Sequence, residues 1–441
     1  MSIFFLQISA VIFLSICLFS VSNRGREISL IDLHILLLAV MLGMYSIVNI
    51  LALENSILAE YDEFLVLILF LSFSLSVFFL YIAKKTIIKR AHKYLSLYEI
   101  SLVLSKVKKK HFVFIVAIVL GFDLYLFIDY GIVSYYDFNE IILPTGHGQI
   151  RQFLLAVKYG SFFVFFSYIL HNKLNSKEMF FLSLLMLLLL SSMLILGRRA
   201  IFFLLVLLFL FSLFRENKKL FNLKSVYMSI VMLLILLIFS NFYQANRWVF
   251  QGDDLSAIKL TYDSFFDFKE TFTNLGHREA LWQFNYSILE NQVFFSTAVS
   301  GGEILLESFF DSIPRLLNPD KVVIDSDILI TSHYGLVERD SASSLFTVLT
   351  AEFGLFFIIL YPILQMLILF VLYQLFKISK GNAIAYFLLT GLALKFFMNI
   401  ESNPIGIFVF LYNVLAVTFI SVLLNYAIKP FKKIHPSAKK L

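Results

Sequence analysis

Apolar residues in this chain gather in runs long enough to cross roughly 30 Å of hydrocarbon. They lie at 3–21, 30–53, 64–83, 111–131, 153–171, 178–196, 200–214, 226–242, 346–376, 383–400 and 405–427. A bilayer core offers a backbone N–H or C=O no partner outside its own segment, so each run predicts a helix. The expected fold class is an all-α polytopic membrane protein with about 11 transmembrane helices. Charged residues make up 15% of the chain, well below the quarter or so usual in soluble domains. The first run has no basic n-region and no small-residue cleavage site, and is read as a retained span.

Lysine and arginine set the orientation, because they collect in cytoplasmic loops. Segment 84–110 carries nine basic residues against the single Glu99. Placing it inside puts 24 of the 36 basic residues on one side. The C-terminus is then cytoplasmic, and the N-terminus and the loop Glu54–Glu63 lie outside. The net charge of +6 is explained by this distribution, so a nucleic-acid partner is not expected. Within 84–110, Ile87, Ile88, Ala91, Tyr94, Leu95, Tyr98 and Leu102 recur among the lysines. That pattern predicts a basic amphipathic helix on the inner membrane surface, drawn to anionic membrane lipids.

One polar insertion interrupts the spans. The chain divides into an N-terminal transmembrane region 1–242 of about eight spans, an extracytoplasmic insertion 243–345, and a C-terminal region 346–441 of about three spans with a basic tail. The insertion holds 15 acidic and seven basic residues and both tryptophans, Trp248 and Trp282. Apolar residues recur at helical spacing at Phe265, Phe268, Phe272 and Leu275, at Leu281, Phe284 and Ile288, and at Ile304, Leu305, Ser308 and Phe309. Gly276 and Pro314 mark stops. A small helical cap on a membrane domain is expected. There is no phosphate-binding glycine loop, which argues against an ATP-driven pump. The one cysteine, Cys17, leaves no disulfide framework and no cysteine metal site.

The candidate chemistry lies in cations near the outer edge. Gly197-Arg198-Arg199 forms a tight outer turn against the topological preference. Its arginines either bind phosphate oxygens bidentately, as for a lipid diphosphate, or snorkel to headgroups. Lys158 and Lys395 fall inside apolar runs near the outer end, as snorkelling side chains or as cavity cations. Arg151 at the entry to the fifth span has the same two readings, and Glu401 is a possible partner for Lys395. Ile313-Pro314-Arg315 through Pro319-Asp320-Lys321 puts Arg315 and Lys321 on a proline-stiffened turn, suited to an anionic ligand or simply solvated. Arg247 and Arg339 are further substrate-binding candidates in the insertion. His277 beside Arg278, and His333 before Glu338-Arg339-Asp340, offer a general base with a cation nearby. Asp325-Ser326-Asp327 has no other convergent carboxylates, so no metal site is assigned.

The number of spans, the outer Gly-Arg-Arg turn, the late outer loop and the Ile-Pro-Arg-x-x-x-Pro-x-Lys run from Ile313 to Lys321 together resemble the O-antigen or capsule repeat-unit polymerases (Wzy). The stretch Ser341 to Leu345 and Ala351-Glu352-Phe353-Gly354 also resembles the junction shared with O-antigen ligases. This resemblance implies a metal-independent glycosyltransferase of the GT-C type at the outer face of the bacterial inner membrane. It implies joining of oligosaccharide units carried on undecaprenyl diphosphate, with release of undecaprenyl diphosphate and no cofactor. A chain-length regulator is an implied partner. Key roles would fall to Arg198, Arg199, Arg278 and Arg315. Ligases carry a histidine eleven residues before the junction glycine; here Ser343 stands there, which favours polymerase. The rivals are a ligase or other polyprenyl-linked GT-C enzyme, and a transporter or flippase, which would show discontinuous helices and midplane charges.

Overall fold

A computed structural model describes residues 2–21, 25–39, 62–130, 147–172, 174–194, 198–216, 279–313, 326–336, 344–379, 382–397 and 406–419, with isolated positions between 227 and 265. Among these residues the chain is helical and no strand forms; the only β-type contact is a bridge between Ser29 and Ser96. Among the described residues, three stretches are long and apolar enough to cross a membrane: Phe64–Lys85, Phe153–His171 and Leu345–Ser379. Four shorter apolar helices accompany them, at Val11–Ser20, Phe203–Arg215, Ala383–Phe397 and Gly406–Phe419. The run 226–242 and parts of several others lie largely outside the described residues.

The N-terminal region comprises α1 (Ser2–Ser20), a 3-10 turn (Gly25–Glu27), α2 (Leu30–Leu38), α3 (Glu63–Leu95), α4 (Leu97–Leu104), α5 (Lys109–Tyr130), α6 (His147–His171), α7 (Ser176–Leu194) and α8 (Arg198–Glu216). With 33 residues at 1.5 Å each, α3 is about 50 Å long, more than the hydrocarbon thickness. Segment 84–110 is therefore not one surface helix, which corrects the sequence expectation. It is divided among the end of α3, the short α4 and the start of α5. Leu95, Leu97, Ile100 and Leu104 are buried, whereas Leu102 is 38% exposed, and the side chains of Ile87, Ile88, Ala91 and Tyr94 lie outside the described ones.

The reason for the division is a set of directional bonds. Leu97 N–H donates to the Ile28 carbonyl at 2.9 Å, and Ser96 Oγ donates to the Arg26 carbonyl at 2.8 Å. Arg26 lies 4.8 Å over the Tyr98 ring. Its Nε donates to the Phe214 carbonyl at 3.3 Å. Ser101 Oγ meets His171 Nε2 at 2.8 Å, tying α4 to the end of α6.

Helix α6 packs closely against α14 (Ala383–Phe397). Ala156 and Gly160, one helical turn apart, face Gly391. A methyl at Gly391 would enter the space of the Ala156 carbonyl oxygen, and one at Gly160 would lie 3.1 Å from the Phe387 ring. Small residues permit such backbone approach where lipid gives helices no hydrophobic reason to associate.

The late segment forms α9 (Glu279–Phe294), α10 (Glu303–Ser312), α11 (Ser326–Tyr334) and α12 (Leu345–Phe353), followed by a 3-10 turn (Gly354–Phe356) and α13 (Phe357–Ser379). We number Gly406–Phe419 as α15. The first four helices share a core of their own: Phe284, Ile288, Ile304, Ile330, Tyr334, Val348 and Ala351. The expected spacings at 281–288 and 304–309 thus become α9 and α10. The expected helix at 265–275 lies outside the described residues.

The ninth apolar run is not one helix. Gly354 has φ of +55°, a conformation that favours glycine, and the helix breaks there. The Phe346 ring stacks on Tyr361 with centroids 3.8 Å apart. Fifteen residues of straight helix would separate their backbones by about 22 Å. The short α12 therefore turns back over the first turns of α13.

Candidate functional site

α12 is where the late segment meets the membrane helices, and every residue from Leu345 to Glu352 is buried. Ser344 caps it reciprocally with Thr347, whose hydroxyl also accepts from Asn285 Nδ2 at 3.1 Å. At the other end the Glu352 carboxylate closes the start of α10. It accepts the N–H of Gly302 and, at 2.8 Å, that of Leu305. A carboxylate there satisfies orphan helix donors and complements the positive end of the helix dipole.

Beside it, Tyr334 donates to the Ala351 carbonyl at 2.7 Å and accepts from Gln292 Nε2 at 2.7 Å. Burial pushes the Tyr334 phenol above its ordinary value. Tyr286 accepts the Asp62 N–H at 2.9 Å and donates to Glu290 at 3.3 Å, joining α9 to the start of α3. Burial first, then the carboxylates of Glu290 and Asp62, push its pKa up to about 12.

Directly under α12 sits a polar cluster absent from the sequence reading. His34 on α2 is buried, with Nδ1 2.9 Å from the Phe397 carbonyl and Nε2 2.5 Å from the Tyr361 hydroxyl. A carbonyl only accepts, so Nδ1 carries the proton and Nε2 accepts from Tyr361. The imidazole is thereby a neutral clamp on α2, α13 and α14. Phe73 stacks on Phe346 at 4.4 Å, completing the aromatic wall.

Among the described residues, three ion pairs join helices of the N-terminal region; Lys109 with Glu178 is at the surface, 2.6 Å apart, and the other two lie deeper. Lys158 on α6 meets the Asp123 carboxylate on α5, at 2.8 Å to Oδ1 and 2.7 Å to Oδ2. Lys84 on α3 is paired with Asp32 on α2 and reaches the Ser20 carbonyl at 3.3 Å. Asp32 also accepts from the Ser29 N–H at 2.8 Å and the Ser29 hydroxyl at 2.6 Å.

The expected site residues are distributed as follows. Arg198 and Arg199 form the first turn of α8, which contains no acidic residue; their side chains lie outside the described ones. Lys158 is buried and paired, so it neither snorkels nor stands as a lone cavity cation. Lys395 is half-buried in the last turn of α14, between the buried Leu394 and Phe396. His333 is exposed on α11, its Nε2 2.9 Å from the Ala298 carbonyl. Arg247, His277, Arg278, Arg315, Lys321 and Arg339 lie outside the described residues, as do Asp325 and Glu401. Arg151 falls within α6, its side chain outside the described ones.

Among the expected site residues whose side chains are described, His333 alone joins the α12 cluster, through its neighbour Tyr334. Sequence reasoning missed His34, Asp123 and Asp32, and named Glu352 in the junction stretch without a role. An acid and a base in successive apolar runs, as Asp123 and Lys158 are, was the available signal. His34 gave none beyond being a histidine in an apolar run. No family model, no curated protein and no solved structure matches the chain.

Proposed function

We propose that this protein is a glycosyltransferase of the outer face of the bacterial inner membrane, joining undecaprenyl-diphosphate-linked oligosaccharide repeat units into O-antigen or capsular polysaccharide. The observation that carries the reading is the start of α8. Two arginines open a membrane helix at the positive end of its dipole, with no acidic residue in the turn. A diphosphate complements both the helix start and the guanidinium forks. In this reading the segment 243–345 is extracytoplasmic, the C-terminus cytoplasmic, and about eleven spans enclose the polyprenyl tails.

Chemically, the acceptor hydroxyl attacks the anomeric carbon of the donor chain with inversion. The new glycosidic C–O bond forms as the bond to the diphosphate oxygen breaks. The electron pair leaves with undecaprenyl diphosphate, stabilised by Arg198 and Arg199, with Arg278 and Arg315 as further donors. The hydroxyl proton goes to a base, and His333 has the right tautomer. Its Nε2–H donates to the Ala298 carbonyl, which leaves Nδ1 with a lone pair. His277 is the alternative base. Arg247, Lys321, Arg339 and Lys395 are proposed substrate contacts, and a chain-length regulator a proposed partner.

A second reading is favoured by a specific observation. The paired charges Asp32–Lys84 and Asp123–Lys158, the break at Gly354, and the unpartnered buried oxygens of Ser74, Ser76 and Gln365 are features of transporters of polysaccharide or lipid. Proteoliposomes charged with purified lipid-linked repeat units separate the readings. Appearance of lipid-linked dimers, lost in Arg198→Ala and Arg199→Ala, is expected for the polymerase. Transfer to a lipid A core acceptor without dimers would indicate a ligase. Movement of the unit across the bilayer without any new glycosidic bond would indicate transport.

A further inference from the structure

The turn between α9 and α10 and the outward face of α10 expose large apolar side chains. Phe294, Phe295 and Val299 are 56, 70 and 45% exposed, and Leu306 and Phe310 are 58 and 53% exposed. At about 100° per residue, α10 divides into three stripes. Ile304, Ser308, Asp311 and Ser312 are buried against protein. Leu306, Phe309 and Phe310 point the opposite way. Glu303 and Glu307, also exposed, form one edge between them. A helix with protein on one side and water on the other needs two stripes; a third, apolar stripe fits a third medium.

The patch is continuous with membrane helices on both sides. Val299 lies against Gly354, its Cγ1 3.6 Å from where a Cβ would stand. From there the exposed surface runs through Leu355 and Phe356 to Ile359, Ile363, Leu367 and Phe370 of α13, part of a stretch apolar enough to cross the bilayer. On the other flank, Phe309 packs edge-on against Phe408 at 5.3 Å and lies 6.5 Å from Tyr412 of α15.

We infer that the α9–α10 turn and α10 lie in the membrane surface, with Phe294, Phe295, Val299, Leu306 and Phe310 against lipid acyl chains and Glu303 and Glu307 toward water. The occupant is the bilayer itself, because the patch extends the apolar side of α13 without a break. α10 holds no Lys or Arg, so the seating is apolar and independent of salt. It fixes the α9–α12 body against the membrane, within reach of lipid headgroups, whichever chemistry that body serves.

Cys17 is the chain's one cysteine and is buried. Site-directed spin labels at Phe295→Cys, Leu306→Cys and Phe310→Cys in a Cys17→Ala background therefore report single positions. The full-length protein is placed in phosphatidylethanolamine–phosphatidylglycerol vesicles and probed with oxygen and a water-soluble nickel chelate. Oxygen should relax these labels several-fold more than nickel, with the order reversed at Ser332→Cys, an exposed position on α11. Greater nickel access at Phe295 and Phe310 would overturn the inference. Shielding from both agents would also overturn it, because protein would then cover the patch. An unsubstituted control uses a phospholipid with a photoreactive group in its acyl chain. Crosslinks within 293–310 are expected, and crosslinks confined to the spanning helices would count against the seating.

Discussion

Replacing Gly391 by alanine tests the α6–α14 contact on which the membrane body depends. A side chain at Gly391 would enter the Ala156 carbonyl oxygen, and the Gly160 nitrogen lies 3.2 Å away. Both obstacles are backbone, so no rotamer change relieves them and the helices must part. A gap approaching about 1 Å forfeits roughly a quarter to a half of each dispersion contact across the interface. The cost should reach or exceed the top of the range of about 1–3 kcal/mol typical of overpacking. Gly160→Ala meets the Phe387 ring at 3.1 Å and the Gly391 Cα at 3.2 Å, and should cost about 1 kcal/mol. Gly121→Ala meets nothing within 4 Å and gains up to about 1 kcal/mol of helix propensity. Heating the detergent-solubilised variants and following loss of the monodisperse chromatographic peak should rank Gly391→Ala lowest and Gly121→Ala highest. Equal midpoints for Gly391→Ala and Gly121→Ala would refute the close backbone contact.

Further outcomes follow from the same geometry. Lys158→Met strands Asp123, whose side chain is 21% exposed, and should cost about 1–3 kcal/mol; Lys158→Met with Asp123→Leu should recover most of the thermal midpoint. Failure of the double variant to recover would mean the pair does more than neutralise itself. Glu352→Ala removes two charge-assisted caps from α10 and should cost about 2 kcal/mol or more, read as early proteolysis within 295–312 before the membrane helices are cut. Tyr286 is held neutral by the fold with a pKa of about 12, against about 10 unfolded. Its contribution is complete below pH 10 and lost as pH rises toward 12. Tyr286→Phe should flatten that part of the stability–pH curve, and an unchanged slope would assign it to other groups. In a producing strain, Arg198→Ala, Arg199→Ala or Arg315→Ala should shorten the surface polysaccharide while the protein still inserts; long polymer from all three would sink the enzymatic reading.

How much was legible in advance varies by residue. Leu281, Phe284 and Ile288 announced α9, and Ile304, Leu305, Ser308 and Phe309 announced α10, because helical spacing is a local property. The same spacing in 84–110 did not continue as one helix, since local periodicity does not say where a distant segment will interrupt it. Ser96 and Leu97, bonded to the Arg26 and Ile28 carbonyls, settled that question. His34 was invisible for a similar reason: its partners, Tyr361 and the Phe397 carbonyl, lie more than 300 residues away.

By itself the sequence determined the membrane environment and the helical class, because long apolar runs leave the backbone no partner but its own helix. It also determined where cations concentrate and where the chain turns polar. Tertiary structure decided which charges are neutralised, as Lys158 is by Asp123. It also decided that the ninth run folds back at Gly354 and that α10 exposes Leu306, Phe309 and Phe310 opposite its buried face. Those outcomes depend on the rotation of each helix about its axis and on contacts between distant segments, neither of which hydropathy encodes.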